Sequence, residues 1–267
     1  MEISKSGLRR SKILELIKIN GKISIQEIIE ATGCSEATAR RDLDSLEKSG
    51  EIIRTIGGAI FDPGDRSPAS EVSFADKRFS QLHDKEQIAR MAASLVEEGD
   101  VIGLTGGTTT FLIAKELKRR RNITIVTNAV NIAAELADAE GIQVVVTGGV
   151  MRAKSYELIG PLAESVIGKL NITKMFLGVD GVSKEHGFTM HSELESRIAQ
   201  LLIERSSHVY AVFDESKLHK SALFTIIQLS EVTGIVTNRL PEGWLEPGFM
   251  EHPIEIHMAI DDGNGVE

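Results

Sequence analysis

The sequence predicts an α/β fold in which an N-terminal winged helix-turn-helix is joined to a larger, mostly parallel α/β domain. Three observations lead to this prediction. Helical patterns with glycine stops fill the first 50 residues, and a segment with two prolines follows at residues 61–71. Val/Ile-rich runs then alternate with helical patterns. Since 267 residues leave room for two domains, we expect domains at residues 1–60 and 74–260 and a linker at 61–73.

The composition excludes several classes of protein. Hydrophobic residues make up 42% of the chain and charged residues 26%, which is typical of a protein that forms a core. No apolar run approaches the ~18 residues that span a bilayer, and the N-terminus lacks the continuous apolar stretch of a signal peptide. The one cysteine, Cys34, excludes an intramolecular disulfide, and no Cys/His cluster has metal-ligand spacing. We expect a cytoplasmic protein with no metal, no cofactor and no membrane contact.

The first domain starts with two helical patterns. Residues 7–20 place apolar side chains at helical spacing. Ser24 is followed three residues later by Glu27, and this spacing is that of a capping box. A second helix should therefore begin at Ser24, and Gly33 should end it.

A third helix and a β-hairpin complete the predicted first domain. Ser35 can cap this helix, which runs toward a glycine stop at Gly50. The run "EIIRTIGGAIF" then reads as two short strands around a glycine turn, which would form a wing. One face of the third helix is apolar, and its members are Ala39, Leu43 and Leu46. The polar side chains that fall mostly outside this face are Thr38, Arg40, Arg41 and Asp44.

Two short helices separated by a tight turn, with basic residues near the start of the second, match helix-turn-helix geometry. The net charge of −9 divides into +1 for residues 1–58 and −10 for the remainder. The acidity therefore says little about DNA binding by the first domain, and the six Lys/Arg among residues 1–22 suit phosphate contacts. The alternative is a module that binds protein, in which the charged helix face is only solvated.

The second domain alternates helices and strands. A long amphipathic helix at about residues 74–97 is predicted to precede the strand "VIGL", and the strands "NITIVT", "IQVVVTG", "KMFLGVDG", "HVYAVFD" and "GIVTN" follow along the chain. This order implies a largely parallel sheet covered on both faces. Ligands bind such sheets at the carboxyl ends of the strands. The candidate residues lie at those ends, in Thr105–Thr110, Thr127–Asn128, Gly148–Gly149, Asp180–Gly181 and Asp214–Lys217.

The stretch "GGTTT" at residues 106–110, here named the Gly-Thr loop, favours anion binding. Glycine lets the backbone approach an anion closely. The first amide groups of the following helix lack partners and carry partial positive charge, and threonine hydroxyls add donors. A phosphate is the natural occupant, although the loop is not a Walker loop. The alternative is a plain strand-to-helix turn.

The quoted motifs resemble the DeoR family of bacterial sugar-responsive transcription regulators. In the first domain, "CSEATARRDLDSLEKSGEIIRTIGGAI" matches the family pattern without interruption. In the second, "GGTTT", "VTNAVNIAAEL", "GGVMRAKSYELIGPLAE", "FLGVDGVSKEHGFT" and "DESK" follow in the family's order and spacing. The resemblance covers nearly the whole chain. It implies a DNA-reading third helix and a sensor domain similar to the ribose-phosphate isomerase and CoA-transferase fold.

The resemblance also implies functional residues. The residues expected to face DNA are Ser35, Thr38, Arg40 and Arg41. The residues expected to bind an effector are Gly106, Gly107, Thr108, Thr109, Thr110, Asn128, Arg152, Asp180 and Lys217. The chain departs from the family pattern at Thr105, at Ala199 and Gln200, and in "KLHKSALF". These departures leave the expected phosphate binding in place, and the identity of the effector stays open.

Two alternatives to a regulator are a sugar-phosphate isomerase and an oligomerisation module. Isomerisation needs a carboxylate base and a polarising cation, and Asp180, Glu195 and Lys217 supply those residue types. An attached DNA reader gives a better use for a pocket that binds and releases intact ligand, so we expect no enzyme. An oligomerisation module would not explain the Gly, Thr and Asp residues at strand ends.

The sequence therefore predicts a DNA-binding repressor of a carbohydrate operon that a phosphorylated sugar relieves, with activation as the alternative polarity. The expected partners are operator DNA and the effector, and the expected assembly is a homodimer or homotetramer. The sugar, the operator sequence, the sign of the response and the choice between dimer and tetramer stay open.

Overall fold

The structure is a computed structural model that describes residues 5–61, 73–78, 80–244 and 253–259. The chain divides into two compact units, Met1–Ser80 and Gln81–Glu267. The predicted linker at residues 61–73 lies, apart from its two end residues, outside the described residues.

The first unit combines short helices with a small sheet. Its helices are α1 (Lys5–Asn20), α2 (Ile25–Thr32), α3 (Glu36–Lys48) and α4 (Phe74–Lys77). Its strands are β1 (Lys22–Ser24), β2 (Ile52–Thr55) and β3 (Gly58–Phe61). The three strands form an antiparallel sheet in the order β1-β3-β2. This arrangement of three helices followed by a β-hairpin confirms the predicted winged helix-turn-helix.

Local hydrogen bonds set the helix boundaries as the sequence predicted. The Ser24 amide donates to Oε2 of Glu27 at 2.7 Å, and the Glu27 amide donates to Oγ of Ser24 at 3.2 Å, so the capping box is complete. Gly33 ends α2 in the left-handed conformation with a φ of 67°. Ser35 caps α3 by accepting from the Thr38 amide at 3.3 Å. The helix ends at Lys48, and Gly50 follows with a φ of 75°.

The two glycines of the wing, Gly57 and Gly58, are required by the backbone, the first by its dihedral angle and the second by a close contact with β1. Gly57 adopts a φ of 84° in the turn between β2 and β3. A Cβ atom on Gly58 would lie 2.0 Å from the carbonyl oxygen of Ile23 on β1, which no side chain tolerates. Beneath this sheet the unit has its own core. Its fully buried members are Ile13, Ile17, Ile28, Ala39, Leu43 and Ala59.

The second unit is built on a seven-stranded parallel sheet. The order of its strands is β15-β14-β12-β9-β4-β5-β6, and every neighbouring pair is parallel. The strands are β4 (Val101–Leu104), β5 (Ile123–Thr127), β6 (Ile142–Val146), β9 (Ile172–Gly178), β12 (Ser206–Phe213), β14 (Gly234–Thr237) and β15 (Glu255–Met258). This is the parallel α/β sheet that the alternating pattern predicted.

Helices cover both faces of this sheet. They are α5 (Leu82–Ser94), α6 (Thr108–Leu117), α7 (Val130–Leu136), α8 (Pro161–Ile167) and α9 (Glu193–Glu204). Because side chains alternate along a strand, Phe176 and Tyr210 join one hydrophobic core with α5, α6 and α7. Met175 and Leu177 join the opposite core with α8 and α9. The sheet is therefore packed between two helical layers.

Smaller antiparallel elements lie outside the parallel sheet. A hairpin is formed by β7 (Val150–Arg152) and β8 (Glu157–Ile159). A three-stranded sheet is formed by β10 (Gly181–Ser183), β11 (Gly187–Met190) and β13 (Phe224–Ile227). Short 3-10 helices occur at Glu215–Lys217 and Leu229–Glu231.

The prediction of one helix over residues 74–97 is wrong. The structure has α4 in the first unit and α5 in the second. Gln81 has a φ of 49° in the left-handed region, and such a residue cannot continue a right-handed helix. The apolar spacing is continuous across this break, so periodicity alone did not reveal it.

Candidate functional site

The residues expected to face DNA lie at the start of α3. Ser35 is the N-cap, and its hydroxyl lies 2.9 Å from that of Thr38. Both hydroxyls therefore help to start the helix. Arg40 is exposed and pairs with Glu36 one turn earlier at 2.6 Å, and Arg41 is exposed. The two guanidinium groups are the long cationic side chains that this end of α3 presents to solvent.

The next residue in the Arg-Arg-Asp-Leu run has a different position. Asp42 is buried, and its carboxylate accepts hydrogen bonds from Nε and Nη2 of Arg9 on α1. Arg10 of the same helix donates to the hydroxyl of Ser45. These contacts tie α3 to α1, so Asp42 orients the helix and does not face outward.

The wing is tied to α3 in a similar way. Arg54 on β2 is buried, and its Nε lies 3.7 Å from Oδ1 of Asp44. Its backbone amide donates to Oε1 of Glu47 at 3.2 Å. The arginine of the wing thus packs against the helix and fixes the hairpin beside it.

In the second unit the candidate residues share one edge of the sheet. Residues 105–110 follow β4, Asn128 follows β5, Asp180 follows β9 and residues 214–217 follow β12. These strands are parallel neighbours in the sheet, so their carboxyl ends lie side by side. The edge is the place where α/β sheets bind ligands.

The Gly-Thr loop leads from β4 into α6. Gly107 is the N-cap with a φ of 137°, and as glycine it has no side chain to satisfy the first amide groups of the helix. Thr108 is half-buried, whereas Thr109 and Thr110 are buried. The Thr110 hydroxyl donates to the Gly107 carbonyl at 3.0 Å, so this side chain shapes the loop. Thr105 anchors the strand end by accepting from the Gly178 amide at 3.0 Å.

A buried carboxyl group, Glu157, contacts this loop from the β7–β8 hairpin. A Cβ atom on Gly106 would lie 2.2 Å from Cγ of Glu157, so the loop accepts only glycine at this point unless the glutamate moves. Nδ2 of Asn128 donates to Oε2 of Glu157 at 2.8 Å. Burial raises the pKa of Glu157 to about 8, and the negative charges of Glu195 and Asp180 act in the same direction.

Two neighbouring carboxylates have hydrogen-bond partners of their own. Arg152 on β7 donates to Oε1 of Glu195 on α9 at 2.7 Å, and the hydroxyl of Ser155 donates to the same oxygen. Oδ2 of Asp180 lies 2.8 Å from Nδ1 of His191 and accepts from the backbone amide of that residue at 3.1 Å. The hairpin, α9 and the loop after β9 are therefore linked around the strand ends.

Lys217 lies in the 3-10 helix after β12, next to Asp214. Asp214 is buried, and Oδ1 accepts from the Ser216 amide at 3.0 Å. Burial works to raise the pKa of Asp214, but the charges of Lys85 and Lys217 hold it below its usual value. Lys85 on α5 is itself 3% exposed. The structure thus places Lys217 in a cluster with Asp214 and Lys85.

The structure brings together only some of the residues that were predicted to bind the effector. Gly106, Asn128, Arg152 and Asp180 are linked through Glu157, Glu195 and their hydrogen bonds and charges. The residues that sequence reasoning did not assign to the site are Lys85, Ser155, Glu157 and His191. Of these four residues, only Glu157 could have been recognised from the sequence pattern. In the run "YELIG" it shares a strand face with the buried Ile159, which is unusual for a charged residue.

The part of the chain that the structure describes contains no group of three or more His, Cys, Asp or Glu side chains arranged to hold a metal ion. Within the same residues, no helix combines the length and the apolarity needed to cross a membrane.

Comparison with solved structures gives a distant likeness to α/β sugar-phosphate isomerases. Ribose 5-phosphate isomerase A from Methanocaldococcus jannaschii aligns with a TM-score of 0.40 and 20% identity. The alignment covers 52% of this chain and 55% of the isomerase. A likeness of this size carries no argument about activity.

Curated relatives match over nearly the whole chain. The putative aga operon transcriptional repressor of Escherichia coli O157:H7 is 31% identical over 95% of this chain and 94% of the relative. The transcriptional repressor GlcR of Bacillus subtilis is 34% identical over 86% of this chain and 87% of its own. The glycerol-3-phosphate regulon repressor of Escherichia coli K12 is 29% identical over 96% of this chain and 100% of its own.

Family models match both units. The model of the DeoR-like helix-turn-helix domain matches residues 9–63, and the model of the DeoR C-terminal sensor domain matches residues 80–239. Together with the relatives, these matches confirm the predicted family. The chain belongs to the DeoR family of DNA-binding transcriptional regulators.

Proposed function

We propose that this protein represses a carbohydrate operon by binding its operator through α3, and that a phosphorylated sugar on the Gly-Thr loop relieves repression. The observation that carries the proposal is the presence, in one chain, of a helix-turn-helix and a glycine-capped helix N-terminus at the ligand-binding edge of a parallel sheet.

Operator binding through α3 is supported by its exposed cationic end. Arg40 and Arg41 are exposed, whereas the next residue, Asp42, is buried and anchored to α1. A recognition helix contacts base edges with the residues near its N-terminus. The inward anchoring of Asp42 holds the two arginines outward.

Effector binding at the Gly-Thr loop is supported by its backbone. Gly107 leaves the first amide groups of α6 without a capping side chain, and helix N-termini of this kind bind anions. The relatives include repressors named for an aga operon and for a glycerol-3-phosphate regulon. We infer a phosphorylated metabolite of carbohydrate metabolism as the effector.

Regulation is favoured over catalysis by the state of the candidate carboxylates. An isomerase needs a carboxylate free to take a proton from its substrate. Glu195 is bound by Arg152 and Ser155, and Asp180 accepts from the His191 amide. The raised pKa of Glu157 keeps a proton on that carboxyl group at neutral pH, so it is not a free base either. We infer that these groups bind and orient a ligand and that the protein releases its effector unchanged.

The proposed function is tested by operator binding with and without phosphorylated sugars. A thermal-shift screen identifies sugars that stabilise the protein, and fluorescence anisotropy then measures operator affinity in their presence. We expect at least one sugar phosphate to raise the melting temperature and weaken operator binding. Stabilisation with tighter operator binding would reverse the proposed sign, and turnover of the sugar would establish an enzyme.

A further inference from the structure

Glu157 lies directly against the loop that we propose to bind phosphate. Its side chain is 4% exposed. A Cβ atom on Gly106 would lie 2.5 Å from Oε1 of Glu157, so this oxygen is next to the loop backbone. A ligand whose phosphate binds the Gly-Thr loop would therefore place its neighbouring atoms beside Glu157.

Glu157 and Asn128 offer two acceptor atoms without donors. Nδ2 of Asn128 donates to Oε2 of Glu157 at 2.8 Å and to the Leu158 carbonyl at 3.4 Å. A carbonyl can only accept, so this contact fixes which side of the amide carries the nitrogen. Oδ1 of Asn128 is then buried without a hydrogen bond to any residue that the structure describes. Oε1 of Glu157 makes no hydrogen bond to those residues, and it becomes an acceptor when the carboxyl group loses its proton.

Glu157 also differs from Glu195 in charge compensation. Glu195 is paired with Arg152 at 2.7 Å, and Asp180 accepts from the backbone amide of His191 at 3.1 Å. Within the described ranges, no Lys, Arg or His side chain lies within 4.0 Å of the Glu157 carboxyl group. The other charges that act on Glu157 are Glu195, Asp180 and Arg152. A buried carboxylate without a cation is costly, which fits a group whose pKa is raised to about 8 and which is protonated in the free protein.

We propose that Glu157 and Asn128 bind an ammonium group of the effector, so that the effector is an amino-substituted sugar phosphate. The inference rests on the proposed function, because the phosphate positions the ligand. An ammonium group supplies several donors and one positive charge. It has enough donors for both Oδ1 of Asn128 and Oε1 of Glu157, and its charge compensates the carboxylate. A hydroxyl group supplies one donor and no charge.

Binding changes the protonation of Glu157. In the free protein at about pH 7 the proton lies on the carboxyl group, because its pKa is about 8. When the ammonium group binds, this proton leaves to solvent and an ion pair remains. The protein therefore releases about one proton more for an amino sugar phosphate than for the matching hydroxyl sugar phosphate.

Calorimetry with matched ligands tests this inference on the full-length protein. The pairs are glucosamine 6-phosphate with glucose 6-phosphate, and galactosamine 6-phosphate with galactose 6-phosphate. Within each pair, one hydroxyl replaces one amino group. We expect at least one amino sugar phosphate to bind about tenfold or more tightly than its partner. Titrations in buffers of different ionisation enthalpy should report the extra proton released.

A variant of Glu157 tests whether the ligand preference depends on the charge of this side chain or on its shape. Glu157→Gln keeps the size of the side chain and removes its charge, so the preference within a pair should fall to about threefold or less and the extra proton should disappear. Glu193→Gln, which changes an exposed carboxylate on α9, should keep both. The proton count on the unmodified protein stands even if the Glu157 variant does not fold.

Each outcome decides between the two proposals. Equal affinity within both pairs, or tighter binding of the hydroxyl sugars, would overturn the ammonium site and leave the proposed function intact. If neither amino sugar phosphate binds but other sugar phosphates release the protein from its operator, the ammonium site is again overturned and the proposed function is left intact. Failure of every phosphorylated sugar in the wider screen to affect operator binding would overturn both.

Discussion

Asp42 shows at the residue scale how a charged side chain in a recognition helix can serve the fold. Its carboxylate is buried and receives two hydrogen bonds from Arg9. Asp42→Ala should lower the melting temperature of the protein by several degrees, because it removes the partner of Arg9 and leaves the Arg10–Ser45 hydrogen bond as the remaining described polar contact between α1 and α3. Glu36→Ala removes an exposed partner of Arg40 and should have little effect. Equal melting temperatures for both variants would contradict the role of Asp42.

Arg40 and Arg41 should both contribute to DNA binding, and the effect of replacing each one shows whether it contacts a base or a phosphate. An arginine that contacts a base edge is worth about 1–3 kcal/mol, and its loss relaxes sequence preference, whereas a phosphate contact weakens all sequences alike. Arg40→Ala and Arg41→Ala should each bind operator more weakly and keep the fold. Lys48→Ala, at the far end of α3, is the control. Anisotropy on operator and on scrambled DNA measures both effects, and unchanged operator affinity in both arginine variants would refute the assignment.

Glu157 should make stability depend on pH. Its pKa is about 8 in the folded protein and is ordinarily about 4.5. Between these values the folded state binds more protons than the unfolded state, so the free energy of unfolding falls as the pH rises, by at most about 1.4 kcal/mol per pH unit. The lowered pKa of Asp214 acts only at lower pH.

Glu157→Gln removes this dependence. The variant should therefore gain stability relative to the parent as the pH is raised from about 5.5 to about 8. Thermal melts of both proteins at the two pH values provide the measurement. A constant difference in melting temperature would mean that Glu157 is ionised throughout.

Single residues also show where sequence reasoning succeeds and where it stops. Ser24, Gly33 and Ser35 act through neighbours three or four residues away, so a linear pattern reveals them. The partner of Asp42 is 33 residues away in the sequence. The interaction between Glu157 and Asn128 spans 29 residues. Such contacts depend on tertiary packing, and no local spacing encodes them.

At the scale of an element, α6 should respond to charge at its first residue. Thr108→Asp places a carboxylate at a helix N-terminus, where the helix dipole stabilises it by about 0.3–1 kcal/mol. The fold should therefore persist, while the new charge repels the effector phosphate. We expect normal operator binding and no release by the sugar phosphate.

The control for this variant is Lys115→Asp, which changes charge in the last turn of the same helix and should leave effector affinity within about threefold. Operator anisotropy with and without the sugar, beside a direct titration, gives the result. If Thr108→Asp responds to the sugar as the parent does, the Gly-Thr loop is a structural turn and the effector binds elsewhere.

Elements were predictable where one pattern governs their whole length. The apolar runs of β4, β5 and β14 predict buried strands, because a parallel sheet covered on both faces demands them. The helix expected at 74–97 fails because its break depends on the backbone of one residue, Gln81. The antiparallel sheet of β10, β11 and β13 was not predicted, since short strands between glycine turns give weak periodicity.

At the scale of the whole molecule, we expect an oligomer. A single winged helix-turn-helix makes too few contacts for tight, specific operator binding at physiological salt. The second unit also exposes more than half of several large apolar side chains, namely Val150, Met151, Leu162, Leu194 and Leu223, and burial of such groups favours assembly. Sedimentation equilibrium should show a dimer or tetramer at micromolar concentration. A stable monomer that binds operator tightly would contradict this expectation.

The inward position of Asp42 shows that residues shared within this family can serve the fold and need not contact DNA. Within the stretch by which the chain resembles its family, Leu43 and Ala59 are core residues, Gly58 fits against β1, and Arg54 is buried in the wing. Much of this signature therefore encodes folding. These buried residues carry little information about the base sequence of the operator. Two regulators can share them and still bind different operators, so their targets have to be inferred from the exposed positions of α3.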